Sequence, residues 1–356
     1  MPVYPLIIIW YIFLALCHNL TIKTYGKQLC DKLFTILFFP FCGIIMGLRS
    51  TSVGADTATY ANIFQRISDL SFWEIISGID LETEVGYALF MKLSYTIYPD
   101  YYFFQLLCSI LYCGISGFIA YRYSRDTVLF GAIFLGIGTW LLAFNITRQM
   151  FAGAIITIAI FELMNQKYLK CVCLFLAAIF THTSSIFIPF LSSMYFLYRK
   201  NWVIILIAST IIALAVTSIS LVGYFDTVIV GHYANYLENS LTKHEANGAK
   251  ILWLIITILS ILILIKPMST SNRQLKFIAT LAILFPIFSW IGLSFNYAER
   301  IGCYFIFFSI LVFTLSEFSI FSQRFRQPFR IGVAICFLLL FFMSTHSAQY
   351  QYNTFL

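Results

Sequence analysis

The chain has 356 residues, of which 60% are hydrophobic, 19% aromatic and only 10% charged, and its formal net charge is +7. Soluble domains carry roughly 25% charged residues, so this composition excludes a water-soluble globular protein and defines an integral membrane protein. The positive excess does not point to nucleic acid: the lysines and arginines stand singly or in pairs between apolar runs, the spacing of membrane topology signals.

The N-terminal stretch Met1 to Trp10 has no Lys or Arg, so it lacks the basic region of a cleavable signal peptide. Apolar runs follow at about 4–20, 33–48, 102–121, 127–144, 148–164, 168–181, 184–198, 202–221, 251–266, 277–294, 301–318 and 331–345. A spanning helix takes about 20 residues. The runs therefore predict an all-α polytopic membrane protein of about twelve transmembrane helices, one membrane domain over 1–356, although 33–48, 168–181 and 184–198 are short for a bilayer.

Two longer polar stretches, 49–101 and 222–250, interrupt these runs. Within the first, Phe72-Trp73-Glu74-Ile75-Ile76 and Val85 to Tyr98 read as amphipathic helices lying along the membrane surface. Segment 85–98 is too short to span, carries Lys92 in its middle and ends at Pro99. Leaving it out of the spans puts the basic loops (Lys23/Lys27/Lys32, Arg122/Arg125, Lys167/Lys170, Arg199/Lys200, Lys266/Arg273/Lys276 and Arg324/Arg326/Arg330) on one side. That side then holds 15 of the 22 basic residues and 4 of the 15 acids. The positive-inside rule makes it cytoplasmic, with both termini and both long loops outside.

This topology gathers Arg49, Asp56, Glu84, Arg148, His182, Glu299 and Arg300 on the outer face. A charge at the centre of a spanning helix costs about 2.5–3.5 kcal/mol on insertion scales. A chain this apolar keeps charges only near an interface or facing a polar cavity.

Each candidate has a plain structural reading beside a functional one. A glycine shortly before Asp56 suits a turn, and Asp56 can cap the helix that follows. Arg49 can be an anchor that snorkels to the interface. Glu84 stands at a helix mouth, where the dipole favours a carboxylate. Arg148 has no acid beside it in the sequence, and Asn145, Thr147 and Gln149 supply further donors; its planar fork suits a diphosphate. Arg300 and Glu299 are adjacent, so on a helix they point apart and each can pair elsewhere. His182 has hydroxyls at 181, 183, 184 and 185 but no second histidine, which argues against a metal and leaves a satisfied buried histidine or a donor to sugar or phosphate. In the second loop Asp226, His232, Tyr233, Tyr236, Glu238, His244 and Glu245 are expected to set specificity rather than catalysis. The nine cysteines contain no C-x-x-C pair and read as small hydrophobes rather than disulfides or a zinc site. Walker A, G-x-G-x-x-G, H-E-x-x-H and G-x-S-x-G motifs are absent, so nucleotide-driven pumping and serine or zinc hydrolysis find no support.

In chain order, Arg49, Gly54-Ala55-Asp56, Tyr60 and Phe64, then Glu84-Val85-Gly86-Tyr87, then Asn145, Arg148-Gln149 and Ala152, then Phe180-Thr181-His182-Thr183-Ser184, and later Arg300 with Tyr304-Phe305 resemble the EpsG family. That family contains Wzy-type polymerases of bacterial O antigens, capsules and exopolysaccharides. The order and spacing of short motifs carry the resemblance, and region 222–250 has no counterpart in it. The resemblance implies a multi-pass protein of the bacterial inner membrane, active at the periplasmic face. Its helical bundle is expected to be similar to GT-C glycosyltransferases, with surface helices in the first periplasmic loop. It also implies the reaction: two oligosaccharide repeat units on undecaprenyl diphosphate are joined, the reducing-end sugar of one passing to a hydroxyl of the other. Undecaprenyl diphosphate leaves, no metal or other cofactor takes part, and a chain-length regulator is an expected partner.

On that chemistry Arg148 and Arg300, with Arg49 in support, face the diphosphates. Asp56 or Glu84 takes the hydroxyl proton. Tyr60, Asn145, Gln149, His182 and Glu299 bind or orient substrate. A lipid-linked-oligosaccharide flippase is the first competing reading, but it needs charged groups through the depth of the bundle, and the runs hold few ionisable groups, with Glu162 and Glu317 near cytoplasmic ends. An O-antigen ligase, with lipid A core as acceptor, shares the donor and stays open. A membrane acyltransferase could use His182 as its base, though no acid stands close to it in sequence.

Overall fold

A computed structural model describes residues 3–78, 81–197, 247–265, 272–292, 296–320, 322–346 and 350–354. The run at 202–221 and nearly all of the second long loop lie outside the described residues. The described chain forms two compact units, one of Met1–Ser185 with Phe321–Leu356, the other of Ile186–Ile320. Regular structure in both is helical; the one β-type pairing among the described residues is an isolated antiparallel bridge between Arg49 and Thr354.

The first unit contains α1 (Val3–Tyr25), α2 (Lys27–Gly47), α3 (Thr57–Asp69), α4 (Phe72–Ser77), α5 (Val85–Ile97), α6 (Tyr101–Tyr123), α7 (Thr127–Gly136), α8 (Thr139–Asn145), α9 (Thr147–Met164) and α10 (Tyr168–Thr181), with a 3₁₀ turn starting at Thr183. The second contains α11 (Phe187–Leu197), α12 (Asn247–Ile265), α13 (Asn272–Gly292), α14 (Asn296–Cys303) and α15 (Ile306–Ser319), and the chain returns to the first unit as α16 (Gln323–Ser344). Among the described residues six helices, α1, α2, α6, α9, α13 and α16, are long and apolar enough to cross a membrane. The pair α7–α8 makes a seventh span if its two bent halves count as one, and α10, α12 and α15 are shorter apolar helices. The protein is thus an all-helical polytopic membrane protein, with fewer full-length spans described than the dozen apolar runs of its sequence.

Small residues set the packing of the first unit. Helices α2 and α6 lie antiparallel and close: a Cβ on Gly43 would sit 2.8 Å from the Ile110 Cα, and one on Gly47 would sit 2.6 Å from the Leu106 Cα. Close backbone approach of this kind is how helices associate in lipid, where apolar burial gives no net drive. The run 127–144, expected as one span, is broken after Gly136 and bends by 46° before α8. Gly138 takes a left-handed φ of +92° at the break, and the Tyr112 hydroxyl donates to the Thr139 carbonyl there at 3.0 Å. A break buried in protein survives when its freed backbone groups find such partners. Trp140, fully buried beyond the break, donates from Nε1 to the Cys42 carbonyl at 3.2 Å and ties α8 to α2. The break therefore aims α8 so that Asn145 and the first turn of α9 arrive beside the loop that follows α2.

Charge is segregated within this unit. At the Lys27 end of α2, Asp31 accepts from Lys27 Nζ and Thr127 Oγ1 and pairs with His18 Nε2, each at 2.8 Å. Lys27 also donates to the Arg125 carbonyl at 2.8 Å. Asp126 caps α7 through the Leu129 amide at 2.9 Å and pairs with Arg330 at 2.6 Å, which joins the start of α16 to the same end. The antiparallel register of α2 and α6 puts Arg49 and Tyr101 at the other end. Three of the loops rich in basic residues, those of Lys27, Arg125 and Arg330, thus meet at this end of the first unit.

The second unit holds its polar groups on backbone carbonyls: Arg273 Nη2 donates to the Tyr195 carbonyl at 2.7 Å and Lys276 Nζ to the Leu264 carbonyl at 2.8 Å. Helix α14 packs tightly on α13, since a Cβ on Gly292 would sit 2.7 Å from the Glu299 Cβ.

A Cβ on Gly136 would meet the Phe337 carbonyl carbon at 2.6 Å, a backbone atom that cannot swing aside. Gly136→Ala is expected to destabilise the detergent-solubilised protein by at least the 1–3 kcal/mol typical of overpacking. Gly114→Ala, which meets nothing within 4 Å, leaves the melting temperature unchanged or slightly higher. Paired thermal-unfolding curves check both.

Candidate active site

The first loop is a small folded body rather than a pair of loose surface helices. Tyr60, Phe64 and Ile67 of α3, Ile75 of α4 and Tyr87 and Met91 of α5 form one buried cluster with Phe104 and Cys108 of α6. Helix α4 starts with a capping box in which Ser71 and Glu74 satisfy each other's backbone amides. Lys92, the charge in the middle of α5, donates to the Ser68 carbonyl at 2.8 Å, which explains a lysine in an apolar helix.

The turn before α3 is seated on the α8–α9 corner. Gly54 has φ +94°, and a Cβ there would lie 2.9 Å from the Phe144 carbonyl oxygen, so both conformation and space demand glycine. The neighbouring Ala55 amide donates to Asn145 Oδ1 at 2.8 Å, and the Tyr60 hydroxyl donates to the Asn145 carbonyl at 3.2 Å. Asn145 Nδ2 in turn donates to the Tyr350 hydroxyl at 3.2 Å. Asn145 is thus a structural junction of three segments. Asp56 occupies the N-cap position of α3 as expected, yet its side chain makes no capping bond.

Arg49 is an interior residue rather than an interfacial anchor. It is 2% exposed, so it does not snorkel to an interface, and it does not present its guanidinium to an open cavity. Its Nη1 donates to the Met46 carbonyl at 2.7 Å, and its guanidinium carbon lies 4.8 Å from the Phe144 ring centre. Gln105 Nε2 bonds the Gly47 and Arg49 carbonyls at 2.8 and 2.7 Å. The C-terminal segment covers the same place: Ser50 N donates to the Asn353 carbonyl at 2.7 Å and the Tyr352 hydroxyl to the Ile45 carbonyl at 2.6 Å. Beside Arg49 is a cavity of only about 10 Å³, lined by Tyr60, Tyr87, Tyr101, Gln105 and Thr147 among others. That is room for about one water, not a sugar. Arg49 Nε and Gln105 Oε1 are both buried without a partner there, and burial lowers the Arg49 pKa.

The centre of the arrangement is Glu84. Arg148 Nη1 donates to Glu84 Oε2 at 2.5 Å and to Thr83 Oγ1 at 2.8 Å, and Thr83 Oγ1 donates to the same Oε2 at 3.3 Å. On the other oxygen, His182 Nδ1 lies 2.5 Å from Oε1 and the Thr183 amide donates to it at 3.2 Å. The acid that Arg148 and His182 both lacked nearby in sequence is therefore one residue, 64 and 98 positions away. Gly86 permits the approach: a Cβ on it would sit 2.6 Å from the Phe180 carbonyl oxygen, so any larger residue would push α5 off the end of α10. The Arg148 guanidinium carbon also lies 5.6 Å from the Tyr60 ring centre. Burial raises the Tyr60 hydroxyl pKa, opposed by Arg148 and reinforced by Asp56 and Glu84, so both acids lie within electrostatic reach of that hydroxyl.

Burial alone would raise the Glu84 carboxyl pKa. The His182 hydrogen bond and the Arg148 charge outweigh it and hold the group down at about 2. Glu84, Arg148 and His182 keep 13%, 22% and 23% of their side-chain surface open, so the cluster can be reached from outside the unit.

Of the other expected residues, Gln149 is buried on α9. Glu299 and Arg300 belong to the second unit, on α14, and both are exposed. Among the described residues no group of three His, Cys, Asp or Glu could hold a metal ion. The nine cysteines are free thiols; Cys173 and Cys336 are exposed, Cys17 is half-buried and the others are buried. Thr83, Gln105 and Tyr350 were missed in the sequence, and only Thr83, next to Glu84, carried a signal; Thr183 stood out for its hydroxyl, whereas its backbone amide bonds Glu84.

A half-buried arginine, a shared carboxylate and a histidine, joined from three separate segments of an apolar helical unit, define a polytopic membrane protein with a preformed charged centre. The chain belongs to the EpsG family, whose sequence profile matches residues 32–356, and this is a family of Wzy-like polymerases. Neither a search of curated proteins nor one of solved structures returned a match.

The Glu84 shift makes a pH prediction with a definite sign. Its folded pKa lies below the unfolded value of about 4.5, so its stabilisation is complete above that pH and is lost as pH falls towards 2. The shift amounts to about 3 kcal/mol. Unfolding of the wild type in detergent is expected to become easier across this window, and Glu84→Gln to show a flatter profile there with lower stability at neutral pH.

Proposed function

We propose that this Wzy-like polymerase joins oligosaccharide repeat units carried on undecaprenyl diphosphate, at the periplasmic face of the bacterial inner membrane, for O antigen, capsule or exopolysaccharide. Family membership supports the general activity. The observation that carries the finer reading is Arg148, partly open and held by Glu84 at the first turn of α9.

A glycosyl transfer of this kind needs stabilisation of a departing diphosphate and removal of a hydroxyl proton. A guanidinium answers the first need without a metal, since its fork bonds two oxygens at once and keeps its charge. In the free protein Glu84 neutralises Arg148, which makes a charged group tolerable in an apolar unit. An arriving diphosphate offers Arg148 a stronger anionic partner, and the guanidinium can share its donors between the two. Arg300, on α14, is the second cation of this reading, with Glu299 beside it. Arg49 acts differently: buried against Phe144, it fixes the first loop to the α8–α9 corner and so positions Arg148 without touching lipid. Asp56 and the Glu84–His182 pair supply the groups that can handle the proton, and Tyr60, Asn145 and Gln149 shape the surroundings. A chain-length regulator is the protein partner expected.

Arg148→Ala is expected to abolish polymer in cells while the protein still accumulates in the membrane, leaving single repeat units. Arg148→Lys restores little, because an ammonium cannot bond two diphosphate oxygens in one plane. Polymer length on gels, normalised to protein level, checks this; full-length polymer from the Ala variant would remove Arg148 from the mechanism.

A further inference from the structure

We propose that His182, through Nε2, is the catalytic base that accepts the proton of the attacking sugar hydroxyl, and that Glu84 is a positioning residue for it. The inference rests on the polymerase reading above and deepens it. A carboxylate offers about four lone-pair sites. In Glu84 all four are taken: Oε1 by His182 Nδ1 and the Thr183 amide, Oε2 by Arg148 and Thr83. It can accept a proton only by giving up one of these bonds, and it is already a poor acceptor because its pKa is held low.

The same contacts favour the histidine. At 2.5 Å from a carboxylate oxygen, Nδ1 must be the protonated nitrogen. In the neutral ring this leaves the lone pair on Nε2, which makes no hydrogen bond among the described residues. The backbone beneath the ring is held by the His182 amide donating to the Ala178 carbonyl at 2.8 Å and the Ser185 amide donating to the His182 carbonyl at 3.0 Å, and the ring itself is oriented by Glu84. The charged groups around it are Glu84 in direct contact, Arg148 across that carboxylate, and Asp56 beyond Tyr60.

The step balances as follows. The acceptor hydroxyl oxygen forms a bond to the anomeric carbon of the donor's reducing-end sugar. The bond from that carbon to the diphosphate oxygen breaks, and the departing diphosphate keeps the electron pair, facing Arg148. The hydroxyl proton moves to Nε2, and the imidazolium so formed faces the Glu84 carboxylate, which compensates its charge. The ring later returns the proton to water.

The test uses purified full-length protein and lipid-linked repeat units extracted from cells lacking it, with rates followed across pH. His182→Asn keeps an amide donor for Glu84 but has no ring nitrogen to take a proton. It is expected to lower kcat by about 10²–10⁴-fold, with KM for the lipid-linked unit nearly unchanged, and to remove the acid limb of the rate profile. Glu84→Gln lowers kcat less and shifts that limb rather than removing it. An Asn variant within about threefold of wild type, or one that keeps the limb while Asp56→Asn or Glu84→Gln loses it, overturns the assignment and leaves the polymerase reading intact. An active-site collapse would show as lost binding of the lipid-linked unit, and His182→Gln, which retains ring-like length without a basic nitrogen, must then bind it and remain slow. Wild-type protein that elongates nothing overturns the polymerase reading itself.

Discussion

The Glu84 carboxylate is the interaction on which the arrangement turns. Four donors from three parts of the chain converge on its two oxygens. Without it, Arg148 and His182 would present two cationic or polar groups to an apolar unit with nothing to neutralise them, a costly state in low dielectric. With it, they are held close enough to act on one substrate. Its place is in turn set by Gly86, whose lack of a side chain lets α5 meet the end of α10, and by the α3–α5 cluster packed on α6. A network so interdependent is the sort in which removing one partner costs more than the pairwise bond suggests.

Much of the architecture was legible because membranes impose simple rules. Apolar run length gave an all-helical polytopic chain, and charge bias grouped the basic loops on one side; Lys27, Arg125 and Arg330 of three of those loops lie at one end of the first unit. Span count was less legible. The run 127–144 carries no charge, and the break at Gly136-Ile137-Gly138-Thr139 depends on a partner, the Tyr112 hydroxyl, that lies in another helix. Helix α10 fills the short run 168–181 end to end, whereas α15, at 14 residues, is shorter than the run 301–318 because α14 takes up that run's first residues.

The site was legible in its members and not in its bonds. Arg148, Glu84 and His182 stood out because charge in an apolar chain is expensive, but their pairing spans up to 98 residues and leaves no local pattern. The burial of Arg49 was hidden for the same reason in reverse. An arginine just after an apolar helix is usually an interfacial anchor, and only the distant tail that closes over it reveals an interior residue. Asp56 shows the limit of position-based rules: it occupies the cap position without making the cap.

The tail has a consequence for biogenesis. Tyr352 reaches Ile45 across 307 positions of sequence, and Asn353 and Thr354 pair with Ser50 and Arg49. During synthesis the α8–α9 corner can leave the ribosome and insert long before Tyr352 to Thr354 exist. The seat of the first loop is therefore completed only after α16 has been threaded into the bilayer. A nascent chain stopped before this segment would carry every charged group of the centre yet lack the clasp that closes it, which ties maturation to synthesis of the stretch that follows α16.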